Sequence, residues 1–349
     1  MEESIFLLIL FAPLLLVLFL ANLADKKREK PQPIYAILAY LALGSFWMML
    51  LFGGALSMLA GMAFKVLPGL SAGDPAAAEF MSPETLIQIG LALWLPALIG
   101  LLLLLPFVRR LFARFTNIDP ARTVHAVALS LTMLIIVNLW VTLAIGLDNI
   151  AETLAAGPEL TTTDVVSMTW LQDVLMALMA IIGVGWLVRR AWRASLKRLG
   201  VTLPTWRQIA LSLGLAGVLI AALLLMEYLL SFTNWGFDQD VEKVSEQLIG
   251  PLMMTLPGIL TLGLAAALGE ELVFRGALQP RFGLLFTAIL FALLHSNYGI
   301  TLSTGVVLVL GLILGWQRMR YNTTSAMITH ATYNITLGLM AFLDLWPEW

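Results

Sequence analysis

The chain has 349 residues, of which 60% are hydrophobic and only 12% charged, with a formal net charge of −2. A soluble domain carries about a quarter charged residues, so the composition excludes an ordinary soluble fold, and the charge balance gives no basic surface for nucleic acid. With no cysteine, disulfides, thiol catalysis and thiolate metal sites are excluded together.

The expected fold is an all-α, polytopic transmembrane bundle of about ten spans. In chain order they are 4–22, 34–63, 86–108, 124–147, 169–188, 208–231, 252–275, 283–298, 301–317 and 323–343. Most are long enough and apolar enough to cross ~30 Å of hydrocarbon. The first is read as a span and not a cleaved signal: its first charges are Glu2 and Glu3, and no small-x-small pattern precedes Lys26, Lys27, Arg28 and Lys30. Alternate loops then collect eighteen of the twenty Lys and Arg on one side, leaving only Lys65 and Lys243 on the other. By the positive-inside rule the basic loops are cytoplasmic and both termini lie outside. The outer loops are acidic, with Asp148, Glu152, Glu159 and Asp164 in one and Asp238, Asp240, Glu242 and Glu246 in another. Segment 70–80 reads as an outer loop, and Trp206, Trp235 and Trp346 fall near span ends as interface anchors. Two regions are expected: 1–205, about five helices of unknown function, and 206–349.

Ionisable groups inside spans are costly and usually functional, and they gather in the last hundred residues. Counting 1.5 Å per residue from the turn at Arg281–Gly283 puts Glu270 about 18 Å and His295 about 20 Å into the membrane. From Thr323, His330 lies about 10 Å and Asn334 about 16 Å in. All four fall in one slab. Glu271 and Arg275 are i and i+4, the spacing of a helical ion pair, as are Phe291 and His295, and His330 and Asn334. Glu270 projects about 100° from Glu271, so the two carboxylates have different jobs. Glu271 and Arg275 are read as structural support, Phe291 as a wall of the pocket, and Glu270 as part of the catalytic centre. Other ionisable groups are read blandly: His125 as interfacial, Asp173 and Glu227, near outer span ends, as snorkelling or water-facing. Gly311-x-x-x-Gly315 is read as close packing within the bundle, with a dimer seam as the alternative; the oligomeric state is left open.

Glu270-Glu271-x-x-x-Arg275, Phe291-x-x-x-His295 and His330-x-x-x-Asn334 resemble, in order, the three motifs of the CAAX-protease and bacteriocin-processing (CPBP) family of intramembrane proteases, which includes the type II CAAX prenyl endopeptidases. The resemblance covers about residues 250–345. It implies a hydrolase in which Glu270, assisted by His295, activates water while His330 and Asn334 hold the oxyanion. It also implies a membrane-associated or prenylated CAAX-type protein substrate, or a role in bacteriocin maturation and self-immunity; the depth and charge bias lead to the expectation of a chamber open to the cytoplasm or laterally to lipid. Glu270, His295 and His330 could equally be three ligands of a zinc ion with one position open. No H-E-x-x-H helix is present, and the reading favours a reaction that requires no cofactor. The rival classes are a transporter, for which intramembrane charges would also serve, and a non-proteolytic scaffold or immunity protein with the same fold.

Overall fold

The computed structural model describes residues 2–26, 32–67, 82–157, 160–233 and 238–345. Lys27, Arg28, Lys30, segment 70–80, Glu159, Trp235 and Trp346, used in the sequence reading, lie outside the described residues. Within them the protein is helical, and the one β-type pairing is an isolated bridge between Trp186 and Arg190.

The helices, in chain order, are α1 (Glu2–Ala24), α2 (Pro33–Val66), α3 (Pro83–Leu102), α4 (Pro106–Phe112), α5 (Thr123–Leu131), α6 (Met133–Ile145), α7 (Leu147–Ala156), α8 (Thr162–Gly183), α9 (Trp192–Leu199) and α10 (Trp206–Ser231). They continue with α11 (Gln239–Met253), α12 (Leu256–Glu271), a π-helical turn (Leu272–Leu278), α13 (Gln279–Phe282), α14 (Leu284–Leu294), a 3-10 turn (Ser296–Tyr298), α15 (Leu302–Arg320) and α16 (Thr323–Phe342). Among the described residues, eight segments are long and apolar enough to cross a membrane. The protein is therefore a multi-pass membrane bundle.

Three expected spans take a different form. The span at 283–298 is the eleven-residue α14, about 16 Å long and half a bilayer deep. It begins at Gly283, whose φ of +86° suits glycine, and stops at His295. The last span, α16, has the length, but its Thr, Ser, His and Asn residues leave it outside the apolar set. It is packed between α10, α12 and α15, where its polar groups meet protein instead of lipid. The span expected at 169–188 starts seven residues earlier, at Thr162, capped by the Thr161 side chain. The polar segment Thr161–Asp164 reads as loop by hydropathy but is a helix N-terminus by capping chemistry. The sequence reading also missed two amphipathic helices, α7 and α11, which pack on one another at the acidic end of the bundle.

The core around the site is built by close backbone approach. α8 runs beside α12, and α12 runs antiparallel to α16. A Cβ on Gly269 would strike the Asp173 side chain and come within 2.8 Å of its Cα and carbonyl oxygen. One on Gly263 would come within 2.8 Å of the Ala331 carbonyl oxygen. Glycine at these points lets the three helices approach as small residues do in membrane bundles. Trp47 ties the N-terminal helices together: fully buried, it donates from Nε1 to Ser130 Oγ (2.8 Å), which donates to the Gly100 carbonyl (2.7 Å). Gly311 and Gly315 face α14 and Gln279 of the same chain, so they are used for packing within the bundle.

Replacing Gly269 with Ala is expected to lower stability by about 1–3 kcal/mol through overpacking. The same change at Gly305, where an added Cβ meets nothing within 4 Å, should leave the thermal midpoint of the purified protein unchanged.

Candidate active site

The site forms where α12 ends and the π turn begins. Consecutive carboxylates leave this point in different directions. Glu271 is fully buried, while the Glu270 side chain is 15% exposed and lines a chamber of about 1890 Å³.

Glu271 organises one side. Its Oε1 accepts from Arg275 Nη1 at 2.8 Å and from His330 Nδ1 at 2.9 Å. Arg275 lies in the π turn, a feature frequent at functional sites. Its Nη2 donates to the Gly311 carbonyl at 3.4 Å, and its guanidinium carbon sits 4.0 Å from the centroid of the Phe291 ring. Phe291 is buried, with His295 and His330 against its ring at centroid distances of 5.0 and 6.1 Å. The sequence reading gave Glu271 to Arg275 alone; the structure shows that it also fixes a histidine.

The imidazoles are oriented alike. His295, at the C-terminal end of α14, has Nδ1 2.9 Å from the Phe291 carbonyl oxygen and stacks on Tyr298 at 5.8 Å. A carbonyl oxygen can only accept, so Nδ1 carries the proton. The Glu271 carboxylate imposes the same choice on His330. Both rings therefore turn Nε2 toward Glu270: His295 Nε2 is 3.9 Å from Oε1, and His330 Nε2 is 3.9 Å from Oε2. Glu270 Oε2 is buried and has no hydrogen-bond partner among the described residues.

Asn334 lies one turn beyond His330 on α16, lines the same chamber, and donates from Nδ2 to the Leu262 carbonyl at 3.2 Å. The structure thus brings Glu270, His295 and His330 around one point, with Asn334 a turn away and Glu271, Arg275 and Phe291 behind them. Asp173 is not near a span end: 4% exposed, it sits at the middle of α8 against Gly269 and lines the chamber, so it does not snorkel, and of the two roles expected only the chamber-facing one is open to it. Placing that span seven residues too late had pushed Asp173 toward a helix end; a carboxylate at mid-span was the signal that could have found it. Glu227 also lines the chamber. His125 is half-buried at the start of α5, and its Nδ1 accepts the Asp119 backbone N–H at 2.9 Å.

Two Nε2 atoms and a carboxylate are zinc-like donors, and anchoring through Nδ1 is what metal-bound histidines share. The spacing does not fit. Bonds of 2.0–2.1 Å in a tetrahedron hold donor atoms about 3.3 Å apart, closer than the 3.9 Å found here. Among the described residues no three His, Cys, Asp or Glu groups are placed to hold an ion.

A multi-pass helical bundle with a partly buried Glu–His–His cluster at the wall of a chamber has the makings of an intramembrane hydrolase. Residues 252–336 match the family model described as Type II CAAX prenyl endopeptidase Rce1-like. This segment holds all three motifs and agrees with the CPBP resemblance. The match is confined to the C-terminal part of the chain. No curated protein and no solved structure matches the chain.

Replacing Glu271 with Gln strands Arg275 in a buried site, which is expected to cost about 3–5 kcal/mol. The thermal midpoint should fall well below that of Glu270→Gln, whose side chain faces the chamber; equal midpoints would contradict the division of roles.

Proposed function

We propose that this protein is an intramembrane endopeptidase that uses Glu270 as general base, without a cofactor, on membrane-associated protein substrates, including prenylated CAAX-type tails. The observation that carries the reading is the convergence of two proton-anchored imidazoles, both through Nε2, on one chamber-facing carboxylate.

The 3.9 Å gaps are too long for direct hydrogen bonds. They suit a water that sits about 2.8 Å from Glu270 and from an Nε2. Glu270 takes a proton from this water as its oxygen attacks the substrate carbonyl, and His295, held by the Phe291 carbonyl and Tyr298, orients it. The developing oxyanion needs donors. A His330 imidazolium, paired with Glu271 through Nδ1, offers Nε2–H, and Asn334 has a second N–H beyond the one given to Leu262. The C–N bond then breaks, and the proton held by Glu270 passes to the leaving amine. Substrate enters from the basic end of the bundle, which the positive-inside rule assigns to the cytoplasm.

Glu270→Gln keeps the shape but removes the base. It should lower cleavage of a membrane-anchored peptide by purified protein at least 100-fold, the scale of a general base, with the melting curve unchanged. Cleavage at the wild-type rate would exclude Glu270 as base. Metal analysis of the purified protein, with activity measured after exhaustive chelation, is expected to show full activity without stoichiometric metal; activity lost on chelation and regained with zinc would replace the cofactor-free reading.

A further inference from the structure

At its basic end the chamber is lined by Arg122, Arg189, Arg190, Arg198 and Arg281. Only Arg122 has an ion pair among the described residues, with Asp119 at 3.5 Å. The others hold neutral oxygens. Arg189 Nε donates to Asn22 Oδ1 (2.8 Å), Arg190 to the Val184 carbonyl, Arg198 Nη1 to the Gly276 carbonyl (3.0 Å), and Arg281 Nη1 to the Asn117 carbonyl (3.5 Å). The nearby Asp25 carboxylate is occupied in capping α5, accepting from the backbone N–H groups of Thr123 and Val124 at 3.1 and 3.0 Å. Each guanidinium has five N–H donors, so the bonds named use only part of this donor capacity. Burial and the neighbouring arginines push Arg189 and Arg198 down to about 10, which leaves both charged at neutral pH. The repulsion among them is relieved by an anion.

What lies beside the arginines identifies the anion's carrier. Leu7, Phe11, Leu14 and Leu18 of α1 line the same chamber, and Asn22, which holds Arg189, is one turn further on. From Leu7 to Asn22 this apolar face is about 22 Å long, comparable with an acyl chain. Ile135 and Met179 belong to the facing wall. The side chains of the α1 strip contribute no hydrogen-bonding groups. A peptide lying along it would leave its amides unsatisfied, whereas a hydrocarbon chain would not.

We propose that the chamber holds one anionic phospholipid here, its phosphate among Arg189, Arg190, Arg198 and Arg281 and an acyl chain along the Leu7–Leu18 face of α1. Apart from Arg281, the site is built by the first 205 residues, outside the segment that matches a protease family, and it does not rest on the peptidase reading. Because Arg198 also holds the Gly276 and Ala277 carbonyls of the π turn, the headgroup sits one side chain away from the helix that carries Glu270.

The test is lipid binding to the purified full chain in neutral detergent, read by native mass spectrometry. The probes are phosphatidylglycerol, phosphatidylcholine, inorganic phosphate and a peptide with a free or amidated C-terminus. The expected result is retention of phosphatidylglycerol over phosphatidylcholine, weakened roughly 30-fold in R189Q/R198Q. It should also be weakened in Leu14→Trp, which narrows the apolar strip and leaves every charge in place. Inorganic phosphate should not displace the lipid. Equal retention of the two lipids, or unchanged binding in R189Q/R198Q, overturns the site. Displacement by inorganic phosphate or by the free-acid peptide but not its amide overturns the lipid as occupant. Melting curves report folding; should the double variant not fold, Leu14→Trp decides, and wild-type affinity in that variant overturns the proposal.

Discussion

The bridge from Arg275 through Glu271 to His330 is the constraint on which the rest of the site depends. A carboxylate removed from both water and lipid is tolerated only with its charge paired. Here one oxygen serves an arginine four residues on and a histidine from another helix. The bridge fixes the ring and tautomer of His330, locks α16 onto the end of α12, and places Arg275 over Phe291, which in turn supports His295. One buried charge thereby aligns both imidazoles on the neighbouring carboxylate. The division between Glu270 and Glu271 follows from the helix: adjacent residues diverge by about 100°, so one faces the bundle interior and the other faces the chamber.

The chamber extends beyond the segment that the family match covers. The family match covers only residues 252–336, yet α1, α5, α6 and α8 contribute to the same walls. Asp173 from α8 and Glu270 from α12 are brought together because Gly269 has no side chain to hold the helices apart. The N-terminal half is thus part of the chamber wall, and we assign to it most of the arginine-lined end where the anionic lipid sits.

Much of this was legible in the sequence because hydrophobic length and i, i+4 spacing are local properties. Spans such as Pro33–Val66 and Trp206–Ser231 and the Glu271–Arg275 pair needed nothing else. Non-local facts were hidden. The truncation of α14 at His295 and the burial of the polar α16 depend on what packs around them; hydropathy cannot tell a helix sheltered by neighbours from one in lipid. The start of α8 was misplaced because capping residues look like loop. The second partner of Glu271 lies 59 positions away on another helix, beyond any spacing rule.

The central claim is that Glu270 activates water for direct attack. It is tested most directly by a single turnover on a membrane-anchored peptide in ¹⁸O-enriched water, with mass spectrometry of both product and denatured protein. The account predicts one ¹⁸O atom in the new carboxylate and no peptide attached to the protein at any time. A covalent peptide adduct on the chain, at Glu270 or elsewhere, would contradict it.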